Sequence, residues 1–250
     1  MKIEVVATAQ QLSERFTKDK TVVVIDVLRA TSVITTALFH GAAAVWPVLS
    51  VEEANALFQR FPAGTALRGG ERGGMKIDGF EQGNSPLSYT AGTVSNKHLI
   101  LTTTNGTVAL RNSLNAKAVY AVSFLNLPYA AAHLSAADEL AIVCSGTNGN
   151  FSADDALCAG MLIAEIEKYE DVSANDLAWV VKQFANQPGR IAEKLSACFH
   201  LNYLQSIGYQ ADIDFCLQQG IMPLRPVFQS AGSIRAMLPL TPTKPRGDGA

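Results

Sequence analysis

Short apolar runs alternate with longer amphipathic segments along this 250-residue chain. Residues 22–25 form a continuous apolar run that ends at Asp26, a pattern typical of a buried strand. Further strands are predicted at 43–48, 98–101, 118–122 and 140–144, and helices at 31–40, 51–61, 87–91, 108–114, 127–134, 153–169 and 174–207. This alternation favours an α/β fold, and we predict a three-layer sandwich with helices on both faces of a largely parallel or mixed central sheet.

The length of the chain fits one large domain or two small ones. We predict a single α/β domain over residues 1–238, with room for two closely packed lobes within it. Residues 239–250 are polar and contain several prolines and glycines, so a flexible C-terminal tail is predicted there. Ser50 and Glu53 form a capping-box pattern before the helix at 51–61, and Ser152 is the expected cap of the helix at 153–169.

The stretch GGERGGMKIDGFEQGNSP, residues 69–86, reads as neither helix nor strand. Long irregular loops inside compact domains are usually functional or disordered, and this one is too varied in charge to resemble a flexible linker. We interpret it as a loop whose charged side chains and amides reach a ligand. Its candidate functional residues are Glu71, Arg72, Asn84 and Ser85, with Lys76 adding positive charge and Asp78 a further carboxylate.

Two further loops, TTTNGT and CSGTNGN, each follow an apolar strand and open a helix, as IDVLRAT also does. In parallel α/β sheets ligands bind outside the carboxyl ends of the strands, and helix N-termini attract anions. The two loops therefore predict a phosphate cradle, although the same residue types also serve as ordinary helix caps. The candidate donors are Thr102, Thr103, Thr104, Asn105 and Gly106 in one loop, and Ser145, Gly146, Thr147 and Asn148 in the other.

Asp26 and Arg29 lie just beyond an apolar strand. A carboxylate there can ligate Mg²⁺ or act as a nucleophile, and a guanidinium can clamp a phosphate; the alternative is an ion pair between the two that orders the turn. The strand-end motif D-x-D-x-[TV] of haloacid dehalogenase phosphatases is incomplete, because Leu28 replaces the second aspartate. Asp154 and Asp155 are further candidate ligands, although acidic residues in a first helical turn also complement the helix dipole.

Composition narrows the class of protein. The net charge of −2 gives no reason to expect nucleic acid as a partner, and no apolar run reaches the length of a membrane span. The segment MKIEVVATAQQ lacks the long apolar run typical of a secretory signal and the four cysteines show no C-x-x-C pair, so a cytoplasmic protein with reduced thiols is expected. The four histidines show no ligand spacing and are interpreted as structural or exposed. The nucleophile-elbow, Walker A and dinucleotide-binding patterns are also missing from the sequence.

Four segments, IDVLRATSVI, GGERGGMKIDGFEQGNSPLSYT, TTTNGTVAL and CSGTNGNFSADDALCAG, resemble the signature blocks of the 2-phosphosulfolactate phosphatase family. The segment HLNYLQSIGYQADIDFCLQQG resembles that family's weaker C-terminal pattern. The resemblance implies a Mg²⁺-dependent phosphatase that cleaves 2-phospho-3-sulfolactate to 3-sulfolactate and phosphate, a reaction of coenzyme M biosynthesis. A related 2-phosphorylated hydroxy acid, such as a phospholactate, is a second candidate substrate.

The resemblance also implies roles for individual residues. Asp26, Arg29 and Arg72 are the expected catalytic residues, and Asp26, Glu71 and Asp155 the expected Mg²⁺ ligands, with Asp154 as the alternative to Asp155. The attacking group is either a metal-activated water or Asp26 itself. The alternative function is a non-catalytic binding protein for small anionic metabolites. The expected partner is a small phosphate ester, and neither nucleic acid nor a membrane is expected as a partner. The sequence leaves open whether the chain forms a homo-oligomer. The expected substrate-binding residues are Asn84, Ser85, Thr103, Thr104, Asn105, Gly106, Ser145, Gly146, Thr147 and Asn148.

Overall fold

The computed structural model describes residues 1–231 and 234–238. The strands are β1 (Lys2–Val6), β2 (Thr21–Ile25), β3 (Ala44–Pro47), β4 (Ala66–Arg72), β5 (Met75–Lys76), β6 (His98–Thr102), β7 (Ala118–Val122), β8 (Glu139–Cys144), β9 (Ser173–Ala174), β10 (Val227–Ala231) and β11 (Ile234–Leu238). The α-helices are α1 (Glu14–Thr17), α2 (Ala30–Phe39), α3 (Val51–Phe58), α4 (Ala91–Val94), α5 (Gly106–Asn112), α6 (Leu127–Leu134), α7 (Ala153–Ile166), α8 (Asp176–Asn186), α9 (Ile191–Lys194), α10 (Phe199–Ser206) and α11 (Gln210–Cys216). Short 3-10 helices cover Ala9–Gln11 and Pro86–Ser88.

The described strands form a mixed sheet in the order β5-β4-β6-β3-β11-β10-β7-β2-β8-β1-β9. Strands β7, β2, β8, β1 and β9 are parallel to one another, as are β4, β6 and β3. The antiparallel hairpin β10–β11 joins these two groups, pairing β10 with β7 and β11 with β3. Because three successive pairings are antiparallel, the two parallel groups run in opposite directions.

Strand β2 shows how the sheet is covered on both faces. Val22 and Val24 pack in one apolar cluster with α2 and α5, whereas Val23 and Ile25 pack in another with α6, α7 and α8. Successive side chains of a strand point to opposite faces, so a run of four apolar residues requires two cores. The predicted three-layer α/β fold with a mixed central sheet is thereby confirmed.

The prediction that residues 69–86 are irregular is wrong at 69–72, which belong to β4, and at 75–76, which form β5. Gly69 and Gly70 lie inside β4, which pairs in parallel with β6. A Cβ atom on Gly69 would come within 2.2 Å of the Tyr89 hydroxyl, and one on Gly70 within 1.9 Å of the Thr102 carbonyl oxygen. These glycines therefore allow close packing within a regular strand. A glycine-rich sequence by itself does not distinguish such a strand from a loop.

Other local predictions have mixed outcomes. The strand at 118–122 and the helix at 127–134 are confirmed, and the Ser50 hydroxyl accepts the Glu53 amide as expected for a cap. Ser152 occupies the N-cap position of α7, but its hydroxyl donates to the Asp154 carboxylate instead of capping. The helix predicted at 174–207 is divided into α8, α9 and α10, and the one at 87–91 is replaced by Pro86–Ser88 and α4.

The proposed division into one domain and a tail stays a prediction, because residues 239–250 lie outside the described part of the chain. Within the described residues, no helix combines the length and apolar character needed to cross a membrane.

Candidate active site

A cavity of about 290 Å³ opens among the loops that follow β2, β6 and β8 and the hairpin between β4 and β5. Helix α10 forms its remaining wall. The structure thus brings together segments that lie far apart in the chain. Eight of the residues singled out from the sequence line this cavity: Asp26, Arg29, Glu71, Asn84, Thr104, Asn105, Thr147 and Asn148.

Asp26 lies directly after β2 and is 7% exposed. Its Oδ1 accepts the Ala30 amide at 2.9 Å, which fixes the carboxylate against the start of α2. Burial raises the pKa of Asp26 to about 6; the Ala30 hydrogen bond and the charge of His200 lower it in part, while nearby carboxylates raise it further. The group therefore combines a fixed position with a pKa close to neutrality.

Gly106 lies next to Asp26 but does not line the cavity. A Cβ atom at this position would come within 2.6 Å of Asp26 Oδ2 and 2.5 Å of the Ala30 methyl group. Contacts below about 3 Å between such atoms are prohibitive, so only glycine lets α5 approach the carboxylate so closely. The structure thus gives Gly106 a steric role beside its predicted role in ligand binding.

Thr103 serves the helix cap that the sequence left as an alternative. Its hydroxyl accepts the Thr107 amide at 3.1 Å, and the Thr107 hydroxyl accepts the Thr103 amide at 3.0 Å. The Thr103 side chain is buried and does not line the cavity. In this loop it is Thr104 and Asn105 that reach the cavity wall.

Arg29 lies at the N-terminal end of α2 and is almost completely buried. Its guanidinium donates to Asp212 Oδ2 at 2.6 Å and to the Gly74 carbonyl at 2.7 Å, and it stacks on the Tyr209 ring at 4.0 Å. The ion pair that orders this arginine is therefore made with Asp212 and not with Asp26. The Ser85 hydroxyl donates to Asp212 Oδ1 at 2.6 Å, so this residue contacts the ion pair and does not line the cavity.

Glu71 connects two walls of the cavity. Its Oε1 accepts the Thr104 amide at 2.7 Å and its Oε2 accepts the Gly74 amide at 2.8 Å. The neighbouring Arg72 is exposed and does not line the cavity; it donates to the Glu71 carbonyl at 2.7 Å and to the Thr102 hydroxyl at 2.9 Å. The end of β4 thus places a carboxylate, and not the predicted arginine, at the cavity.

The two Thr-Asn-Gly loops meet at the cavity, where the Asn148 amide donates to Asn105 Oδ1 at 3.1 Å. Behind this contact Asp155 accepts the Val27 amide at 2.9 Å and the Gly146 amide at 3.0 Å. Both Asp155 oxygens therefore hold backbone together, and the side chain does not line the cavity as a predicted metal ligand should. Burial raises the pKa of Asp155 well above its usual range, with the charges of Asp154 and Asp26 adding to the effect.

Ser145 and Gly146 lie deeper than the rest of their loop. Ser145 is fully buried, and its amide donates to the Ile25 carbonyl at 2.8 Å, which extends the pairing of β8 with β2. Gly146 has φ near +71°, and a Cβ atom there would come within 2.4 Å of the Asn150 carbonyl oxygen. Neither residue lines the cavity, so Thr147 and Asn148 are the members of this loop that reach it.

Sequence reasoning missed the wall made by α10. His200, interpreted from the sequence as structural or exposed, lines the cavity together with Phe199, Tyr203 and Leu204 of the same helix. The Tyr203 hydroxyl donates to the Gly73 carbonyl at 2.9 Å, which ties α10 to the β4–β5 hairpin. The available signal was His200 itself, because it begins the C-terminal segment that resembles the family pattern.

The described residues contain no group of three or more His, Cys, Asp or Glu side chains arranged to hold a metal ion. Asp78 is exposed and lies away from the cavity. Oxygen donors at the cavity are nevertheless present, because Asp26, Glu71 and Asn84 all line it. The Asn84 Oδ1 atom is buried and has no hydrogen-bond partner among the described residues.

A family model described as 2-phosphosulpholactate phosphatase matches residues 6–231. A protein of Clostridium perfringens (strain SM101 / Type A) is 42% identical over 227 residues, which cover 90% of this chain and 92% of the relative. A protein of Caldanaerobacter subterraneus subsp. tengcongensis is 41% identical over 222 residues, covering 87% and 91%. A protein of Clostridium novyi (strain NT) is 40% identical over 229 residues, covering 91% and 97%. All three are named probable 2-phosphosulfolactate phosphatase. This chain therefore belongs to the 2-phosphosulfolactate phosphatase family of phosphoric monoester hydrolases.

Proposed function

We propose that this protein hydrolyses 2-phospho-3-sulfolactate, or a closely related 2-phosphorylated hydroxy acid, in a reaction that requires Mg²⁺. The names of its relatives support the substrate. The observation that carries the proposal is the cavity that Asp26, Glu71 and Arg29 line together. This combination of acidic oxygens and a fixed cation suits a phosphate ester held beside a divalent ion.

The oxygen donors at the cavity fit Mg²⁺. This ion prefers a few carboxylates, with waters and substrate phosphate oxygens completing its shell, so a cluster of three acidic side chains is not required. Asp26 and Glu71 are the residues that would hold it, and the unpartnered Oδ1 of Asn84 is a third oxygen at the same wall. When bound, Mg²⁺ supplies positive charge that offsets the negative charge of the phosphoryl group.

Anion binding falls to groups that the fold already fixes. Arg29 is held by Asp212 and Gly74, so its guanidinium meets a ligand without first losing conformational freedom. Thr104, Asn105, Thr147 and Asn148 add polar groups from the two Thr-Asn-Gly loops. A substrate with a phosphate, a carboxylate and a sulfonate needs several separate donors, and these loops supply them from different sides.

Asp26 is the residue placed to act on the attacking group. Its carboxylate belongs to the cavity lining and is held in one orientation by the Ala30 amide, so it can accept a proton from an attacking water. The same carboxylate is also placed to attack phosphorus directly and form an aspartyl-phosphate. Both routes use the one carboxylate and the same bound position of the phosphate.

Phosphate release from 2-phospho-3-sulfolactate tests the proposal directly. We expect release with Mg²⁺ and none after EDTA treatment, with 2-phospholactate as the comparison substrate. Asp26→Asn should lower kcat at least about 10²-fold, whereas the exposed Asp78→Asn should leave it unchanged. Binding of the ester by calorimetry without any phosphate release would instead establish the alternative, a non-catalytic binding protein.

A further inference from the structure

His200 and Asp154 form a buried pair at the edge of the cavity. The His200 Nδ1 atom lies 3.8 Å from Asp154 Oδ2, with side-chain exposures of 16% and 1%. His200 comes from α10 and Asp154 from the first turn of α7, so tertiary packing alone unites them. The imidazole lines the cavity that also contains Asp26, Arg29 and Glu71.

His200 is the nearby group that can offer Asp154 a full positive charge, in addition to the start of α7 and the Ser152 hydroxyl. Asp154 Oδ1 accepts the Ser152 hydroxyl and faces the Cys198 thiol at 3.8 Å, whereas Asp154 Oδ2 makes no hydrogen bond to any described residue. A buried carboxylate of this kind is costly unless a cation pairs with it. An imidazolium at His200 meets that requirement.

The charged groups around His200 favour its protonated form. Asp154 of α7 lies 3.8 Å from its Nδ1, and the charges of Asp26 after β2 and of Arg29 at the start of α2 also act on it. Burial lowers the pKa of His200, but the interaction with Asp154 and the charge of Asp26 outweigh this effect and the opposing charge of Arg29, so the pKa lies above its usual value. Asp154 correspondingly titrates below its usual range despite its burial, chiefly because of His200.

We propose that His200 protonates the departing ester oxygen of the substrate, and that Asp154 positions the imidazole for this step. The inference rests on the proposed phosphatase function. The leaving group of a 2-phosphorylated hydroxy acid is an alkoxide, which is strongly basic and leaves poorly without a proton. Nδ1 faces Asp154, and Nε2 makes no hydrogen bond to any described residue, so Nε2 is the nitrogen that can donate.

The step balances in protons and electrons. As a water oxygen bonds to phosphorus, one proton of that water passes to solvent. The P–O bond of the ester breaks, its electron pair stays on the ester oxygen, and the proton on His200 Nε2 moves to that oxygen. The products are the hydroxy acid and phosphate, with His200 neutral. Uptake of one proton from solvent by His200 restores the starting state.

The dependence of the rate on the leaving group tests this role. His200→Gln should lower kcat for 2-phospho-3-sulfolactate by about 10²- to 10⁴-fold with little change in KM. With p-nitrophenyl phosphate, whose phenolate leaves without a proton, the same substitution should cost less than about tenfold. His40→Gln, at a half-buried histidine that bonds the Tyr89 carbonyl outside the cavity, is the control for removal of an imidazole.

Asp154→Asn separates positioning from proton donation. Without the carboxylate, the His200 pKa measured by NMR should fall, and the basic limb of the kcat–pH profile should move to lower pH. Equal losses with both substrates in His200→Gln, or an unchanged His200 pKa in Asp154→Asn, would overturn the inference. A wild-type protein that releases no phosphate would instead refute the proposed function. Circular dichroism verifies that the His200→Gln variant is folded.

Discussion

The guanidinium of Arg29 donates a 2.6 Å hydrogen bond to Asp212, and both side chains are almost fully buried. This ion pair links the start of α2 to α11, residues separated by 183 positions in the chain. Asp212 also accepts the Ser85 hydroxyl, so it joins the segment before Pro86 to the same cation. The relationship explains how an arginine next to the cavity is held in one orientation.

Asp212→Asn should destabilise the protein, because it leaves the Arg29 cation buried without its counter-charge. Loss of one partner of a buried pair costs about 3–5 kcal/mol, and we expect the lower end because asparagine keeps an acceptor. Urea denaturation measures the free energy of unfolding, and KM for the phosphate ester should rise as Arg29 loses its anchor. Asp214→Asn, an exposed position on the same helix, is the control; equal stability of the two variants would contradict the prediction.

Gly106→Ala should abolish most activity, since the added methyl group would meet Asp26 Oδ2 at 2.6 Å and displace the carboxylate. The nearest atom to a Cβ at Gly92, by contrast, is 3.9 Å away. Gly92→Ala therefore provides a matched control that should keep wild-type kcat. Steady-state kinetics of both variants make the comparison, and full activity in Gly106→Ala would mean that α5 can move without cost.

Stability without metal should depend on pH through Asp26. Its pKa is raised from 3.8 to about 6, so the folded state holds the proton more tightly than the unfolded chain and loses stability as pH rises through this interval. Two units correspond to about 3 kcal/mol. In EDTA, Asp26→Asn should therefore be more stable than the wild type by about this amount above pH 7, and equally stable below pH 4. A constant difference across pH would exclude the titration of Asp26 as the cause.

Arg29 and Arg72, both predicted from the sequence to be catalytic, should differ in their effect on rate. Arg29 lines the cavity, so Arg29→Lys, which loses the fixed fork of donors, should reduce kcat/KM by about 10²-fold or more. Arg72 bonds only a carbonyl and a hydroxyl outside the cavity, and Arg72→Ala should cost at most about tenfold. The reverse order would show that Arg72 reaches the substrate during turnover.

Much of the fold could be predicted because local periodicity reports burial. The run at 22–25 is typical of a strand covered on both sides, and the structure places its residues in two separate cores. The same reasoning failed at Gly69 and Gly70, because the sequence does not show whether a glycine is needed for close strand packing or for a turn. Whether a glycine serves strand packing or a turn depends on the residues that surround it in space.

Part of the site could also be predicted from short-range sequence pattern. Polar loops after β2, β6 and β8 were recognisable from their spelling, and members of each line the cavity. The contributions of His200 and Asp212 were not predicted, because the only signal there was the weaker resemblance of their segment to the family pattern, which assigned neither residue a role. A pair such as His200 and Asp154 exists only once α10 packs beside α7.

The amino-acid sequence by itself determined the alternation of strands and helices, the three polar loops and the family, since each follows from short-range pattern. The tertiary structure decided that two oppositely directed strand groups meet so that Asp26 touches α5, that Asp155 accepts backbone amides and that Arg72 bonds Thr102. These outcomes depend on which surfaces pack together, and packing contacts between distant residues leave no periodic trace along the chain.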